Sequence, residues 1–152
     1  MKALSVRQPW AHLIMIGEKE YEFRSWKTDY RGDLLICSSA NPKIKNTIPG
    51  HALAVVKLTE IYEVTKRNYR KFGLDEQPDE PLYAWYLTDV RLVAPFPVKG
   101  KLHFYEVNDS KIEIVAGDEE ITEVEGKAYM EKYFIPYAYR YEPVAYETDE
   151  EC

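Results

Sequence analysis

Three charged side chains, Lys19, Glu22 and Arg24, are spaced in a way that could act on a ligand. Lysine can donate to a phosphate or carbonyl oxygen, and burial would lower its pKa from about 10.4 so that it could serve as a base. Glu22 could accept from a base amino group or activate water, and Arg24 could bind a phosphate with its fork of donors or simply fix the orientation of Glu22. Lys19 and Glu22 are thus candidate catalytic residues and Arg24 a candidate ligand-binding residue. The alternative is a solvated turn lysine beside an exposed ion pair worth at most about 1 kcal/mol.

Further candidate ligand-binding residues lie close to the ends of predicted strands. Gln8 offers both a donor and an acceptor, which is the pattern needed to read a base edge. Ser5 and Trp10 stand where the first strand meets the first helix, and Trp10 could stack on a base or pack in the core. Ser38 and its neighbour Ser39 could bind phosphate or cap the following turn.

A second carboxylate near Lys19 would complete an acid–base set for amide hydrolysis, in which the lysine supports the developing oxyanion. Glu60, Glu63 and Glu76 are the candidates, and the sequence does not decide between them. Tyr83 and Trp85 occupy alternate positions of a strand, so they share a face that either forms a stacking wall or fills the core.

A basic segment, "KRNYRK", places four cations around one aromatic residue. Such a mixture could follow a single strand of RNA, although a solvated helix face is an equal alternative. The candidate nucleic-acid face consists of Lys66, Arg67, Tyr69, Arg70 and Lys71.

The first elements of the chain would position the Lys19 region. "KALSV" (Lys2–Val6) is typical of a strand, and Pro9–Ile16 has the apolar rhythm of a short helix that ends at Gly17. The period then changes to two, which predicts a strand with Tyr21 and Phe23 on its buried face and Glu22 and Arg24 on the other.

The remaining pattern predicts α+β architecture, a small mixed β-barrel of six to eight strands with two or three short flanking helices. The strands are expected at 34–37, 51–64 and 82–93, in a hairpin around Gly117-Asp118, and at 137–146; short helices are expected at 65–73 and 127–134.

Four segments resemble the ASCH domain family in the family's order. "SVRQPWAHLIMIGEKEYEFRSW" contains the complete G-x-K-x-x-E-x-R signature as Gly17, Lys19, Glu22 and Arg24. "GDLLICSSA", "ALAVVKLTEI" and "YAWYLTDVRLVAPFPVKGKLHFYEV" are similar to the strands that follow. The resemblance implies a PUA-like barrel over residues 1–107, with a cleft lined by the signature residues. Residues 108–152 are then an acidic extension, packed on or appended to the same domain.

The family resemblance implies a function connected with RNA or nucleotides. Some small members are similar to hydrolases that remove an acyl group from a modified cytidine, and others have been described as ribonucleases or coactivator modules. The expected partner is therefore RNA or a nucleoside-type small molecule. No cofactor or metal is expected, because the sequence shows no phosphate-cradling glycine loop or metal-ligand spacing.

Composition and charge distribution limit the partners and the location that the sequence predicts. The 152 residues carry a net charge of −6, but residues 118–152 hold eleven acidic and three basic side chains, so residues 1–117 are slightly basic. This balance argues against nonspecific binding of a polyanion over the whole protein surface, but it permits one local basic cleft. The two cysteines, Cys37 and Cys152, form no disulfide framework, and no segment approaches the roughly 20 apolar residues of a membrane span. A cytoplasmic protein is expected.

Three hypotheses follow from these patterns. The first is RNA or nucleoside binding in a Lys/Glu/Arg cleft, and the second is hydrolysis of an acylated nucleoside, or of RNA, at the same cleft. The third is a protein-interaction module that recruits a partner through the acidic C-terminal segment.

Overall fold

The structure, a computed structural model, describes residues 1–117 and 122–143. Its strands are β1 (Lys2–Val6), β2 (Tyr21–Arg24), β3 (Gly32–Ser38), β4 (His51–Glu63), β5 (Tyr83–Pro97), β6 (Phe104–Glu106) and β7 (Ile114–Ala116). The α-helices are α1 (Trp10–Met15) and α2 (Glu123–Tyr129). Short 3-10 turns cover Tyr69–Phe72 and Asp109–Lys111, and α2 continues into a π-helical turn, Met130–Phe134.

All seven strands belong to one mixed sheet. Six of them run in the order β2-β5-β4-β3-β1-β6, and β7 pairs with β5 beside this path. β1 and β3 are parallel, whereas the other pairs are antiparallel. The predicted α+β architecture, with six to eight strands and short flanking helices, is confirmed.

The core lies between the sheet and the short helices. Fully buried residues of β1, β3 and β4, such as Leu4, Ile36 and Val56, pack with Ile14 of α1 and with Phe134 of the π-helical turn. Because Phe134 belongs to the main core cluster, part of the segment after Val107 is integral to the fold. The predicted boundary at residue 107 stays a prediction.

The turn from α1 to β2 fixes the position of Lys19. Gly17 adopts a left-handed conformation (φ +82°), which suits the residue that follows a helix. The backbone N–H groups of Glu18 and Lys19 both donate to the carbonyl of Leu13, at 2.9 and 3.1 Å. These bonds occupy a carbonyl that the last turn of α1 leaves without a helical partner, and they hold Lys19 at the start of the strand.

Strand β2 alternates as predicted, but the burial of its two faces does not match the prediction. Glu22 is the buried residue of the strand, at 7% exposure, whereas Tyr21 and Phe23 are only partly buried. Tyr21 and Phe23 pack in a satellite cluster with Phe72 rather than in the main core. A period of two separates faces but does not say which face is buried, so the assumption that the aromatic face is the inner one is wrong.

The C-terminal part of the chain also differs from the prediction. No strand follows β7 to make the expected hairpin within the described ranges: β7 pairs with β5, residues 118–121 lie outside the described part, and α2 begins at Glu123. A capping box explains this start, because Thr122 and Glu125 each accept a hydrogen bond from the other's backbone N–H. The strand expected at 137–146 is absent within 137–143, where Arg140 has φ +45°; residues 144–146 lie outside the description.

None of the helices in the described part of the chain has both the length and the apolar character that a membrane-spanning helix requires.

Candidate functional site

Glu22 and Arg24 form one buried unit rather than two exposed ligand groups. One carboxylate oxygen of Glu22 accepts from Arg24 Nη2 at 3.2 Å, and the other accepts from the Phe23 backbone N–H at 3.0 Å. Arg24 Nη2 also donates to the backbone carbonyl of Ser5 at 2.8 Å, which ties β2 to β1. The side chains of Glu22 and Arg24 are 9% and 22% exposed. This pair therefore joins two strands and partly neutralises itself.

Lys19 lies on the other side of β2. Its Nζ is 4.8 Å from the centroid of the Phe23 ring and 5.4 Å from that of Trp10. Burial lowers the pKa of the Lys19 ammonium, and the negative charge of Glu22 offsets part of that decrease. Among the described residues no carboxylate comes within ion-pair distance of Lys19, so its amine is available to a ligand.

A cleft of about 490 Å³ opens beside this amine, and we call it the Lys19 cleft. Its walls comprise residues 10, 13, 17–21, 23 and 71–73. Trp10, Phe23 and Phe72 are aromatic members of this lining, and Trp10 is 50% exposed. Glu18 and Glu20 balance the charges of Lys19 and Lys71 in this lining, so the cleft attracts a phosphate less strongly than a lining of cations alone would.

A larger cleft of about 890 Å³ lies on the Arg24 side, and we call it the basic cleft. It is lined by residues 5, 7, 23–26, 39–41 and 98–103. Four cations, Arg7, Arg24, Lys99 and Lys101, belong to this lining, and none of its described residues is acidic. Phe23 lines both clefts and is therefore the wall they share. Such a one-signed lining attracts an anionic ligand.

The loop between β5 and β6 that carries Lys99 and Lys101 is fixed at several points. The Val98 N–H donates to the Gly50 carbonyl at 3.0 Å. A Cβ at Gly100 would approach Ser5 Oγ to 2.5 Å, so any larger residue would force the Ser5 side chain or the loop to shift. Ser5 Oγ is itself hydrogen-bonded to the Tyr105 hydroxyl at 2.8 Å. The two lysines therefore project from a held backbone.

Three predicted ligand-binding residues are buried and bonded within the protein. The Gln8 amide donates to the Ile48 carbonyl and accepts from the His12 N–H, both at 2.9 Å, and the side chain is 2% exposed. The Ser38 hydroxyl contacts the backbone of His51 and is equally buried. Trp85 is 0% exposed and packs in the main core, which is the second of the two alternatives that its strand position allowed.

The other candidate carboxylates do not line the Lys19 cleft. Glu60 is exposed on β4 and pairs with Arg31 at 3.0 Å. Glu63 and Tyr83 line a separate, smaller cleft of about 310 Å³, and Tyr83 also packs against the main core. Glu76 lies in the exposed segment before β5. The structure therefore brings none of these carboxylates next to the lysine.

The predicted nucleic-acid face is divided by the structure. Lys71 lines the Lys19 cleft, whereas Lys66 and Arg67 are exposed in the turn before the 3-10 helix. Arg70 lies over the ring of Tyr69 and donates to its hydroxyl at 3.0 Å. Only Lys71 is thus shared with a cleft.

Sequence reasoning missed the residues that make the second cleft basic. Arg7 precedes the first helix, and Lys99, Lys101 and His103 follow β5 in the segment "KGKLH". The signal was the pair of lysines around a glycine, within a segment interpreted only as a tight connection. About ninety residues separate this lysine-containing segment from Arg7, so the proximity of the segment to Arg7 depends on the pairing of β1 with β6.

Comparisons with known proteins agree with the fold. Human activating signal cointegrator 1 is 28% identical over 131 residues, covering 72% of this chain but only 22% of that protein. The crystal structure of ASCH from Zymomonas mobilis superposes with a TM-score of 0.55 at 16% identity, over 72% of this chain and 89% of that one. A single-residue variant of the same bacterial protein gives a TM-score of 0.56 at 15% identity with the same coverage. At such identities the structures show a shared fold, a mixed half-barrel sheet. A model of the ASCH domain matches residues 4–100, and because this match spans more than half of the chain, the protein belongs to the ASCH domain family.

Proposed function

We propose that this protein binds RNA, with phosphates held in the basic cleft. The observation that carries the proposal is the lining of that cleft, in which Arg7, Lys99 and Lys101 join Arg24 without any acidic residue among those described. Glu22 partly neutralises Arg24, so the other three cations supply most of the attraction. Phosphate contacts by lysine and arginine provide the sequence-independent part of nucleic-acid affinity.

The two clefts together match the two halves of a nucleotide. The basic cleft suits the phosphate, and the Lys19 cleft offers aromatic faces and a donor amine to a base. Since Phe23 lines both clefts, a single nucleotide could extend across it with its charge on one side only. In the Lys19 cleft, Glu18 and Glu20 offset the charges of Lys19 and Lys71, so this cleft would hold a phosphate less well than the basic cleft.

Binding of a fluorescently labelled single-stranded RNA, measured by anisotropy from low to moderate salt, tests the proposal. The variant Arg7→Ala/Lys99→Ala/Lys101→Ala should bind more weakly and reduce the slope of log affinity against log salt by about 0.7 for each phosphate that it no longer neutralises. The control variant Lys57→Ala/Lys127→Ala/Lys132→Ala removes the same charge from exposed positions outside the cleft. Equal weakening in the two variants would mean that net charge alone drives binding, and this would refute a binding role for the cleft.

The same assay examines the candidate nucleic-acid face. Replacing Lys66, Arg67, Arg70 and Lys71 together with alanine should lower affinity if this face continues the RNA path from the Lys19 cleft, to which Lys71 already belongs. Unchanged affinity would remove the face from the proposal. Electrophoresis of the RNA after incubation reports strand cleavage and so tests the ribonuclease alternative.

A second candidate function, hydrolysis of an acylated nucleoside, rests on the state of Lys19. Its amine is half-buried, has a lowered pKa, and faces an open cleft with no ion-pair partner among the described residues. In this reaction water adds to the acyl carbon, the C–N bond breaks, and the products are a carboxylic acid and the free amine of the base. The neutral amine would take a proton from the attacking water and, as the ammonium, return it to the leaving nitrogen when the C–N bond breaks. The Glu22 carboxylate, bonded to Arg24 and to the Phe23 N–H, would hold the strand in place rather than act as the base.

Turnover of N4-acylcytidine by wild type and by Lys19→Ala tests this second function. The wild-type rate should rise with pH as the Lys19 ammonium loses its proton, and the variant should be inactive while unfolding at a similar temperature. Equal turnover in both proteins would exclude the hydrolase.

The protein-interaction hypothesis needs a test that does not truncate the chain. A truncation at Gly117 would remove Phe134 from the main core and would destabilise the domain. The double variant Glu123→Gln/Glu125→Gln instead neutralises two exposed carboxylates of α2 and keeps the chain whole. Capture of the same partners by the variant and by wild type would show that this acidic helix recruits none of them.

A further inference from the structure

Leu102 stands out among the exposed apolar residues because of its surroundings. Its side chain is 89% exposed, the highest value among the large hydrophobic residues that the structure describes as exposed. A single exposed leucine needs no explanation by itself. This one, however, follows Lys99 and Lys101 and lines the rim of the basic cleft.

The backbone on either side of Leu102 is held rather than loose. Before it, the Gly100 backbone lies directly against Ser5. After it, His103 adopts a left-handed conformation (φ +58°), which is uncommon for a residue with a side chain. The His103 ring packs on Trp26 with 4.7 Å between centroids. The loop thus presents an apolar side chain to water at a defined place.

We propose that Leu102 packs against the face of an unstacked RNA base while Lys99 and Lys101 hold the adjoining phosphates. The inference rests on the proposed function and adds the form of RNA that the cleft accepts. Base faces are apolar and are exposed in single strands, whereas a duplex covers them by stacking. Contact with a duplex base would first require unstacking of that base, which costs free energy. The protein should therefore prefer single-stranded RNA, with little dependence on base identity.

The alternation of residue types supports this assignment. Each nucleotide carries a charged phosphate and a flat apolar base, and the segment "KGKL" presents cations and an apolar side chain within four residues. The cations and the leucine would contribute differently: the lysines would make affinity depend on salt, and the leucine would not. This difference allows the two contributions to be measured separately.

The test compares Leu102→Ser with Val124→Ser, a matched removal of an exposed apolar side chain. Val124 is 78% exposed on α2 and lines neither cleft. Anisotropy is measured with a labelled single strand and with the same strand in a duplex, each across a salt series. Leu102→Ser should weaken single-strand binding about three- to tenfold, since part of a leucine surface is no longer buried, and leave the salt slope unchanged. Lys101→Ala should instead reduce the slope by about 0.7.

A variant that is expected to gain affinity distinguishes loss of the Leu102 contact from loss of affinity through misfolding. Leu102→Trp should bind the single strand more tightly than wild type, because an aromatic side chain stacks on bases better than a leucine does. Unchanged single-strand affinity in Leu102→Ser, an equal decrease in Val124→Ser, or an equal decrease with the duplex would each overturn the inference. If Lys99 and Lys101 prove essential for RNA binding while Leu102 does not, the proposed function stands and the inference about Leu102 is wrong. If wild type shows no salt-dependent RNA binding, the proposed function and the inference are both wrong.

Discussion

The two clefts on either side of Phe23 differ in almost every chemical respect. The Lys19 cleft combines aromatic residues with two carboxylates and two amines, of which that of Lys19 is half-buried and has a lowered pKa. The basic cleft is larger and combines four cations with no acidic residue among those that the structure describes. The difference shows how one short motif can serve two environments, because alternate residues of a strand face opposite sides.

The G-x-K-x-x-E-x-R signature therefore divides into two parts. Lys19 serves the smaller cleft, and Glu22 with Arg24 forms a strut between β2 and β1 beneath the larger one. Arg24 lines the basic cleft, but its charge is partly neutralised within the protein. Function at the Lys19 cleft should therefore depend mainly on Lys19, whereas binding at the basic cleft should depend on several cations.

The largest effect on stability is expected from removing the Glu22–Arg24 pair that joins β2 to β1. Glu22→Ala leaves Arg24 partly buried without its carboxylate and removes the acceptor of the Phe23 N–H, so it should lower the free energy of unfolding by about 2–4 kcal/mol. Urea denaturation followed by circular dichroism measures the decrease. Glu60→Ala, which breaks the exposed pair with Arg31, is the control and should cost less than about 1 kcal/mol. Similar decreases in the two variants would contradict the assignment of Glu22 to a buried strut.

An intermediate effect is expected from a change that touches the basic cleft alone. Gly100→Ala drives a Cβ against Ser5 Oγ and should destabilise the protein by about 1–3 kcal/mol while weakening RNA binding. Adding Ser5→Ala removes the closest atom and should recover part of the stability, which a double-mutant cycle on unfolding would detect. Gly117→Ala has open space around its Cβ and serves as the control. Strict additivity of the Gly100 and Ser5 changes would contradict the close approach of these two residues.

The smallest effect is expected from a change confined to the Lys19 cleft. Because burial lowers the pKa of Lys19 in the folded state, the unfolded state binds more protons between the lowered pKa and about 10.5, so stability rises with pH there. The ammonium thus costs stability at neutral pH. Lys19→Met should raise Tm at pH 7 by no more than a few degrees, and its advantage over wild type should shrink as the pH approaches 10.5.

Thermal unfolding of Lys19→Met and wild type at several pH values gives this comparison, with Lys57→Met at an exposed position of β4 as the control for the removed charge. An advantage of Lys19→Met that grew with pH would contradict the sign of the shift.

Local pattern predicted the elements that depend on local causes. The strand Lys2–Val6, the helix ended by Gly17 and the long strand from His51 follow from period and from a left-handed glycine, and all are confirmed. The burial of Glu22 was not predictable, because it depends on a pairing of β2 with β5 and on a bond to β1 that lie far away in the sequence. For the same reason the sequence did not bring Arg7 together with Lys101. The capping box at Thr122 was a local signal that could have placed α2, and it was overlooked in favour of a hairpin.

The bond between Ser5 and Tyr105 has a consequence for how the protein folds. These residues are 100 positions apart, and the pairing of β1 with β6 brings the loop that carries Lys99 and Lys101 beside Arg7. Contacts of such long separation form slowly, since the chain between them must be closed first. On a ribosome that adds about 5–20 residues per second, β1 would wait several seconds for its last partner. The basic cleft would thus be among the last parts of the sheet to assemble, so nascent chains would acquire the Lys19 cleft before they could hold a phosphate.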